Sequence, residues 1–225
     1  MPAAEPTPAR NASMRKNLLR ENQGFAAVEF GLALPLLVLM LLGFVELDRY
    51  AWATRQLEVT ANAIAQMLSQ SQKVEPVDMK YAQDSAMVLF PRALQDGARL
   101  GKSWDNMIKV GMSSVGFAPT MPGCIANCTY QAKLSWSGGS DRRPCGAALT
   151  AVPDNTPPSK TTLPTDVFGP NSVIVVDLTF AYQPLFAAEI FGPLTIKRSS
   201  YLQPRYVDKL PYSIAGGDSF VTTCA

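Results

Sequence analysis

The sequence contains no histidine. Histidine is the commonest general base in enzymes and the commonest transition-metal ligand. Without it the chain cannot form a Ser-His-Asp triad, a Cys-His pair or a histidine-containing zinc site. The Asp and Glu residues are scattered and give no acid–base pair at a spacing that places two carboxylates together, and the sequence has no phosphate-binding glycine-rich loop followed by a helix. We therefore predict that the protein is not an enzyme and that it carries no metal or other cofactor.

Charged residues are scarce as well. They make up 17% of the chain, and the formal net charge is only +2. The sequence has no long Lys/Arg run and no basic patch interleaved with aromatic residues. Such a charge distribution produces no field strong enough to hold a polyanion. The composition therefore argues against a nucleic acid partner.

The cysteines all lie in the C-terminal half, as Cys124, Cys128, Cys145 and Cys224. An even number of cysteines downstream of an apolar run is typical of disulfides formed in an oxidising compartment. The alternative is a four-thiolate zinc site, but such sites usually use two close cysteine pairs, and only Cys124 and Cys128 are close. We favour disulfides, and the spacings leave the choice among the possible pairings open.

A single long apolar run follows a polar N-terminal stretch. Residues 25–45 are apolar except for Glu29, and at about 1.5 Å per residue they are long enough to cross the ~30 Å hydrocarbon layer of a bilayer. Basic residues dominate before the run, whereas the charges behind it are mixed. The positive-inside rule then predicts a cytoplasmic leader at 1–24, a transmembrane helix at 25–46 in contact with lipid, and an extracytoplasmic remainder.

A helical pattern continues beyond the span. Apolar residues recur there at steps of four, three and four, as Leu57, Ala61, Ile64 and Leu68. This spacing is one stripe of an amphipathic helix. The span and the stripe together predict one helix over 25–69, with Pro35 as the point at which it would bend and 47–70 as its extension outside the membrane. The stripe fits packing on the protein's own domain and packing on a partner equally well.

Glu29 is the anomaly in the apolar run. A carboxylate inside a span costs about 2.5–3.5 kcal/mol on insertion scales, so it usually has a partner or a function. One explanation is that Glu29 lies a turn from the cytoplasmic edge and reaches the lipid headgroups. Another is that a cut after Gly24 creates an ammonium on Phe25. That group would lie one helical turn from Glu29, or near Glu29 of a neighbouring subunit.

The residues around Glu29 resemble a known signal. Gly24 followed by FAAVEF resembles the type IV prepilin processing signal, in which a Gly precedes the cut and a Glu is the fifth residue after it. The longer string QGFAAVEFGLALPLLVLMLLGFVELDRYAWATRQLEVTANAIAQ is similar to the TadE/TadG-like family of tight-adherence (Tad/Flp) pilus proteins. A weaker similarity lies near the C-terminus, in VIVVDLTFAYQPLF and FGPLTIKRSSYLQPR.

The resemblance implies a type IV pilin-like (pseudopilin) subunit that acts by protein–protein contact in the bacterial inner membrane. Its implied partners are a prepilin peptidase, which would read Gly24 and Glu29, and other pilin or pilus-assembly subunits. The implied role is that of a minor pilin or assembly protein of a Flp-type pilus, with the C-terminal domain in the periplasm or exposed at the cell surface. A general-secretion pseudopilin shares the processing motif, whereas the AVEF string favours the tight-adherence family.

Two other interpretations remain. One is an uncleaved, single-span periplasmic scaffold of a secretion or pilus machine. The other is a secreted soluble binding module or hydrolase, released by signal peptidase after Ala53, because Ala51-Trp52-Ala53 is an A-x-A-like site. Release is disfavoured because the apolar run exceeds the usual 7–15 residues and the helical stripe continues through the site.

Residues 71–225 predict an α+β extracytoplasmic domain. A second helix is expected over 77–94, bending or ending near Phe90 because Pro91 follows. Strands are expected at 107–115, 130–136, 172–182 and 194–202. The third is apolar on both faces, which indicates an interior strand. Because no crossover helices separate these strands, we predict an antiparallel, pilin-like sheet laid against the long helix.

A long segment between the second and third strands, residues 138–170, is rich in Pro, Gly, Ser and Thr. This composition predicts a long loop rather than a packed element, and such loops are usually functional or mobile. A disulfide from Cys145 to Cys124 or Cys128 would brace it. Arg142 and Arg143 lie on this loop, and we interpret them as a solvated basic tip rather than a binding site.

Overall fold

The structure is a computed structural model. It describes residues 23–224 except 147, 187, 189–191 and 215–216, with the backbone alone for 23 and 24. The predicted cytoplasmic leader, up to residue 22, lies outside the described residues. The chain divides into two units, Met1–Leu47 and Asp48–Ala225, which are described separately below.

The first helix of the described residues, α1 (Gln23–Ser69), belongs to both units and continues through Pro35. From residue 25 to 47 this helix is apolar on all sides apart from Glu29 and Glu46, and every side chain from 25 to 41 is exposed. Its residues in the second unit alternate between buried and exposed with helical spacing. A helix that is apolar on all sides is suited to lipid, whereas a one-sided helix is suited to packing on a domain.

Shorter helices follow as α2 (Pro76–Leu89), α3 (Arg92–Leu100) and α4 (Trp104–Met107). A capping box between Glu75 and Asp78 starts α2, because each side chain accepts a backbone N–H at the helix end. The predicted end near Phe90 is confirmed. α3 was not predicted as a separate helix. It is capped by Gly101 with φ +64°, a conformation that glycine adopts without strain.

The main sheet is antiparallel and five-stranded, which confirms the α+β class. Its strands are β1 (Ile108–Pro119), β2 (Tyr130–Gly139), β5 (Val173–Tyr182), β6 (Leu194–Leu202) and β7 (Val221–Thr223). Their order is β6-β5-β1-β2-β7. The short strands β3 (Thr150–Val152) and β4 (Thr162–Pro164) form a separate parallel pair. β7 was not predicted, because three residues carry no usable periodicity.

Both faces of the sheet are covered, and β5 is an interior strand as predicted. One face, here called the helix face, packs through Trp136, Ile174 and Phe180 against apolar residues of α1, α2 and α3. The opposite face, here called the loop face, packs through Val115, Val173 and Val175 against the segment between β2 and β5. Successive residues of β5 therefore alternate between two separate apolar clusters.

The loop segment between β2 and β5 is packed, which corrects the prediction of an unpacked loop. It is irregular apart from β3, β4 and a short 3₁₀ helix at Thr165–Val167. Leu149 and Leu163 are nonetheless buried in the loop-face cluster. The high Pro and Gly content predicted the lack of regular structure but not the packing, because composition carries no information about long-range contacts.

Candidate functional site

The predicted processing residues lie in the first turns of α1. Gly24, Phe25 and Glu29 are all within the helix, and the side chains of Phe25 and Glu29 are exposed. Residues four apart lie on the same face of a helix, so the backbone nitrogen of Phe25 and the Glu29 side chain are one turn apart. This geometry suits the pairing that a cut after Gly24 would create.

The apolar part of α1 fits a single-pass membrane protein. Its most apolar window of 18 residues has a mean hydropathy of 2.4, and none of that window is buried in the protein. Among the described residues, this is the one helix long and apolar enough to cross a membrane. Apolar side chains exposed on all sides of a helix indicate a lipid environment.

The amphipathic stripe packs on the protein's own domain. Leu57, Ala61, Ile64 and Leu68 are all buried in the helix-face core. Of the two alternatives for the stripe, the structure therefore shows packing on the domain for these residues. Outside the stripe, the same helical segment has exposed apolar side chains, including those of Val59 and Met67.

The four cysteines form two disulfides. Cys124 bonds to Cys128, and Cys145 bonds to Cys224. Among the pairings that the sequence left open, the structure has Cys145 bonded to Cys224 and not to Cys124 or Cys128. Cys145 instead ties the loop segment to the chain end next to β7, 79 residues away in sequence. A zinc site would need four thiolates, whereas each of these sulfurs is bonded to another sulfur.

Arg143 is buried, which corrects its interpretation as part of a solvated tip. Only 1% of the residue is exposed. Its Nε donates to Asp177 Oδ2 at 2.6 Å, and its Nη2 donates to Asp177 Oδ1 at 2.9 Å. The adjacent Arg142 is exposed and donates from Nη1 to Thr222 Oγ1 at 3.1 Å. The interpretation as a solvated tip thus holds for Arg142 but not for Arg143.

Arg143 also donates to two other parts of the protein. Nη1 donates to the backbone oxygen of Thr162 in β4 at 2.9 Å. The backbone N–H of Arg143 donates to Ser137 Oγ in β2 at 2.8 Å. One buried residue therefore joins the loop, β4 and two strands of the main sheet.

The charge state of this cluster follows from its contacts. Burial opposes the charge on Arg143, but the hydrogen bonds and the charge of Asp177 outweigh it and raise the pKa of the guanidinium. Burial also raises the pKa of Tyr201 nearby. Ser199 Oγ adds a further hydrogen bond to Asp177. The arrangement is a structural ion pair, because the two charged groups are hydrogen-bonded to each other and to neighbouring groups of the protein.

A signal for this ion pair was present in the sequence. Asp177 lies in the middle of VIVVDLTFAY, a strand that is apolar on both faces. A carboxylate in such a position is costly to bury without a cationic partner. The partner itself was not predictable, because Arg143 is 34 residues away and on an irregular segment.

Comparison with known proteins supports the sequence resemblance. Residues 24–66 match the family model of TadE-like proteins. No curated protein and no solved structure matches the chain. The predicted resemblance is therefore confirmed for the N-terminal segment, and it supports a protein associated with the Tad pilus.

Proposed function

We propose that this protein is a minor pilin or assembly protein of a tight-adherence (Flp-type) pilus, anchored in the bacterial inner membrane by residues 25–46. The observation that carries the proposal is the coincidence of the TadE-like match with an apolar helix whose side chains are exposed on all sides. In this proposal the N-terminus is cytoplasmic and the α+β domain is periplasmic or at the cell surface.

Processing by a prepilin peptidase is the first part of the proposed mechanism. Cleavage between Gly24 and Phe25 would leave a positively charged amine at the start of α1. The carboxylate of Glu29, one turn away, would then gain a charge partner in the membrane, where an unpaired charge is costly. The positive end of the helix dipole favours an acidic side chain at the same place.

The second part of the proposed mechanism is action by contact rather than catalysis. The sequence offers no histidine, and the buried Arg143–Asp177 pair is engaged within the fold. The partners in this proposal are the prepilin peptidase, other pilin or assembly subunits, and membrane lipid. The two disulfides fit an oxidising compartment outside the cytoplasm.

The N-terminal residue of the protein recovered from its native membrane tests the processing step. We expect a start at Phe25. An intact leader would favour an uncleaved scaffold, and a start at Thr54 would indicate a secreted protein released after Ala53. Either of these results would overturn the proposed processing.

A substitution tests the role of Glu29. We expect Glu29→Ala to leave membrane insertion unchanged and to reduce the number of assembled pili strongly, because the mature amine loses its charge partner. The matched control is Leu32→Ala, an exposed position in the same helix that lies outside the motif. Normal piliation by Glu29→Ala would contradict the proposal.

A further inference from the structure

Three elements of the second unit, α1, α3 and β5, meet around Arg92. This end of the unit is here called the proximal end. The Arg92 side chain is buried, and its Nη1 donates to the backbone oxygen of Arg49 in α1 at 3.4 Å. Its guanidinium carbon lies 5.2 Å from the Tyr182 ring centroid and 6.0 Å from that of Trp52. Cation–π contacts of this kind hold α3, β5 and the first residues of α1 in the domain together.

The direction of β5 shows that the segment after Tyr182 begins at the proximal end. Ser200 Oγ donates to Asn62 Oδ1 at 2.6 Å, and Ser200 lies opposite Val176 in the sheet. At the other end of β5, the Tyr182 ring lies 5.4 Å from the Tyr50 ring. β5 therefore runs opposite to α1: from Val176 to Tyr182 it passes from the level of Asn62 to the level of Tyr50. The chain therefore leaves β5 at the same end of the domain as Tyr50.

The segment after β5 is held at this end. Arg99 Nη2 in α3 donates to the backbone oxygen of Gln183 at 3.4 Å. The next apolar side chains, Leu185 and Phe186, are 41% and 52% exposed. On α1, Trp52 is 53% exposed at the same end. The proximal end thus presents aromatic and apolar side chains from two segments that are more than 130 residues apart in sequence.

The chain reaches this end directly from the apolar segment. Trp52 is only five residues after Leu47, the last residue of the first unit, so the length of the connecting chain keeps it close to the membrane surface. Exposed Trp and Tyr residues just outside a span favour the headgroup region. Exposed Leu and Phe side chains brought to the same end would also gain from leaving water.

We propose that the proximal end, through Trp52, Leu185 and Phe186, rests in the headgroup region of the phospholipid membrane that holds the apolar segment. The domain then has a second, non-covalent attachment to lipid in addition to the span itself. The occupant of this surface is the lipid bilayer, because the surface continues from the span along the chain. This attachment is independent of cleavage after Gly24 and of pilus assembly.

A tryptophan placed in the loop tests this proposal in the full-length chain. We would introduce Phe186→Trp in a Trp52→Phe background and reconstitute the protein in phosphatidylethanolamine/phosphatidylglycerol vesicles. We expect the added emission to be blue-shifted and to lose most of its intensity when the acyl chains are brominated near the headgroup. The matched control is Tyr206→Trp, an exposed position adjacent to Arg205, whose N–H donates to Ser69 O at the far end of α1.

The control emission should be unaffected by the brominated lipid. The proposal would be overturned if brominated lipid quenched neither Phe186→Trp nor Tyr206→Trp. Protection of Phe186→Trp from aqueous iodide without quenching by lipid would also overturn it, because a protein would then cover this surface. Leu185→Trp provides the same readout if Phe186→Trp does not fold.

Discussion

The two faces of the sheet are covered by different kinds of interaction. On the helix face, α1 and α2 supply regular apolar side chains such as Leu57, Ile64 and Met79, all fully buried. On the loop face, the irregular segment between β2 and β5 supplies only a few apolar side chains. That segment is attached by the Arg143–Asp177 ion pair and the Cys145–Cys224 disulfide.

The difference follows from the backbone of each cover. A helix satisfies its own backbone hydrogen bonds and presents an apolar stripe, so non-directional burial is enough to hold it. An irregular segment leaves backbone groups that need partners and has no continuous apolar face. It is therefore held by directional contacts, as the bond from Arg143 to Thr162 O illustrates. We expect the replacement of a single polar residue on the loop face to lower the stability of the fold.

The largest expected effect comes from breaking the buried ion pair. Arg143→Met leaves the Asp177 carboxylate buried without its cation and should lower the free energy of unfolding by about 3–5 kcal/mol. The double variant Arg143→Met/Asp177→Leu should recover most of this loss, because neither charge is then left buried alone. Chemical denaturation of the detergent-solubilised protein measures both values.

Arg142→Ala is the matched control for this experiment, since Arg142 is exposed and adjacent in sequence. We expect a change within about 0.5 kcal/mol, as for other surface substitutions. If Arg143→Met were as mild as Arg142→Ala, the ion pair would not be what holds the loop on the sheet.

The second expected effect separates the two disulfides. Cys145 and Cys224 are 79 residues apart, whereas Cys124 and Cys128 are four apart. In the chain-entropy model, losing the longer cross-link costs about 4.5 kcal/mol and losing the shorter one about 2 kcal/mol. Paired Cys→Ser variants compared by thermal unfolding measure the difference. Equal losses would show that the Cys145–Cys224 cross-link stabilises the protein no more than the Cys124–Cys128 cross-link does.

The smallest expected effect concerns pH and the turn before β7. Asp218 accepts hydrogen bonds from Tyr212 Oη and from the N–H groups of Phe220 and Val221. The Tyr212 hydrogen bond, with those of the backbone, lowers the pKa of Asp218. A lowered folded-state pKa gives stability that is complete above the unfolded pKa of about 4 and is lost as the pH falls below it.

Asp218→Asn tests this pH dependence, because an amide oxygen accepts hydrogen bonds without titrating in this range. We expect the difference in melting temperature between the native protein and Asp218→Asn to shrink as the pH falls from 6 to 3. A difference that stays constant over that range would mean that the charge on Asp218 contributes nothing to the turn.

Local patterns account for the parts of the fold that were predicted correctly. The apolar run, the Leu57 stripe, the break at Pro91 and four strands each follow from residues close together in sequence. The candidate site at Gly24, Phe25 and Glu29 was also identified from a short local motif. Its role as a processing site is a prediction that only the chemistry of the mature protein can test.

The sequence by itself determined the long first helix, the second helix, the four long strands and the segment able to enter a membrane, because periodicity and hydropathy are local properties. The tertiary structure alone decided that the Leu57 stripe packs on its own domain, that Cys145 pairs with Cys224, and that Arg143 is buried against Asp177. Each of these facts depends on which distant segments meet. That choice is made by the packing of the whole sheet and its two covers, and no short stretch of sequence contains it.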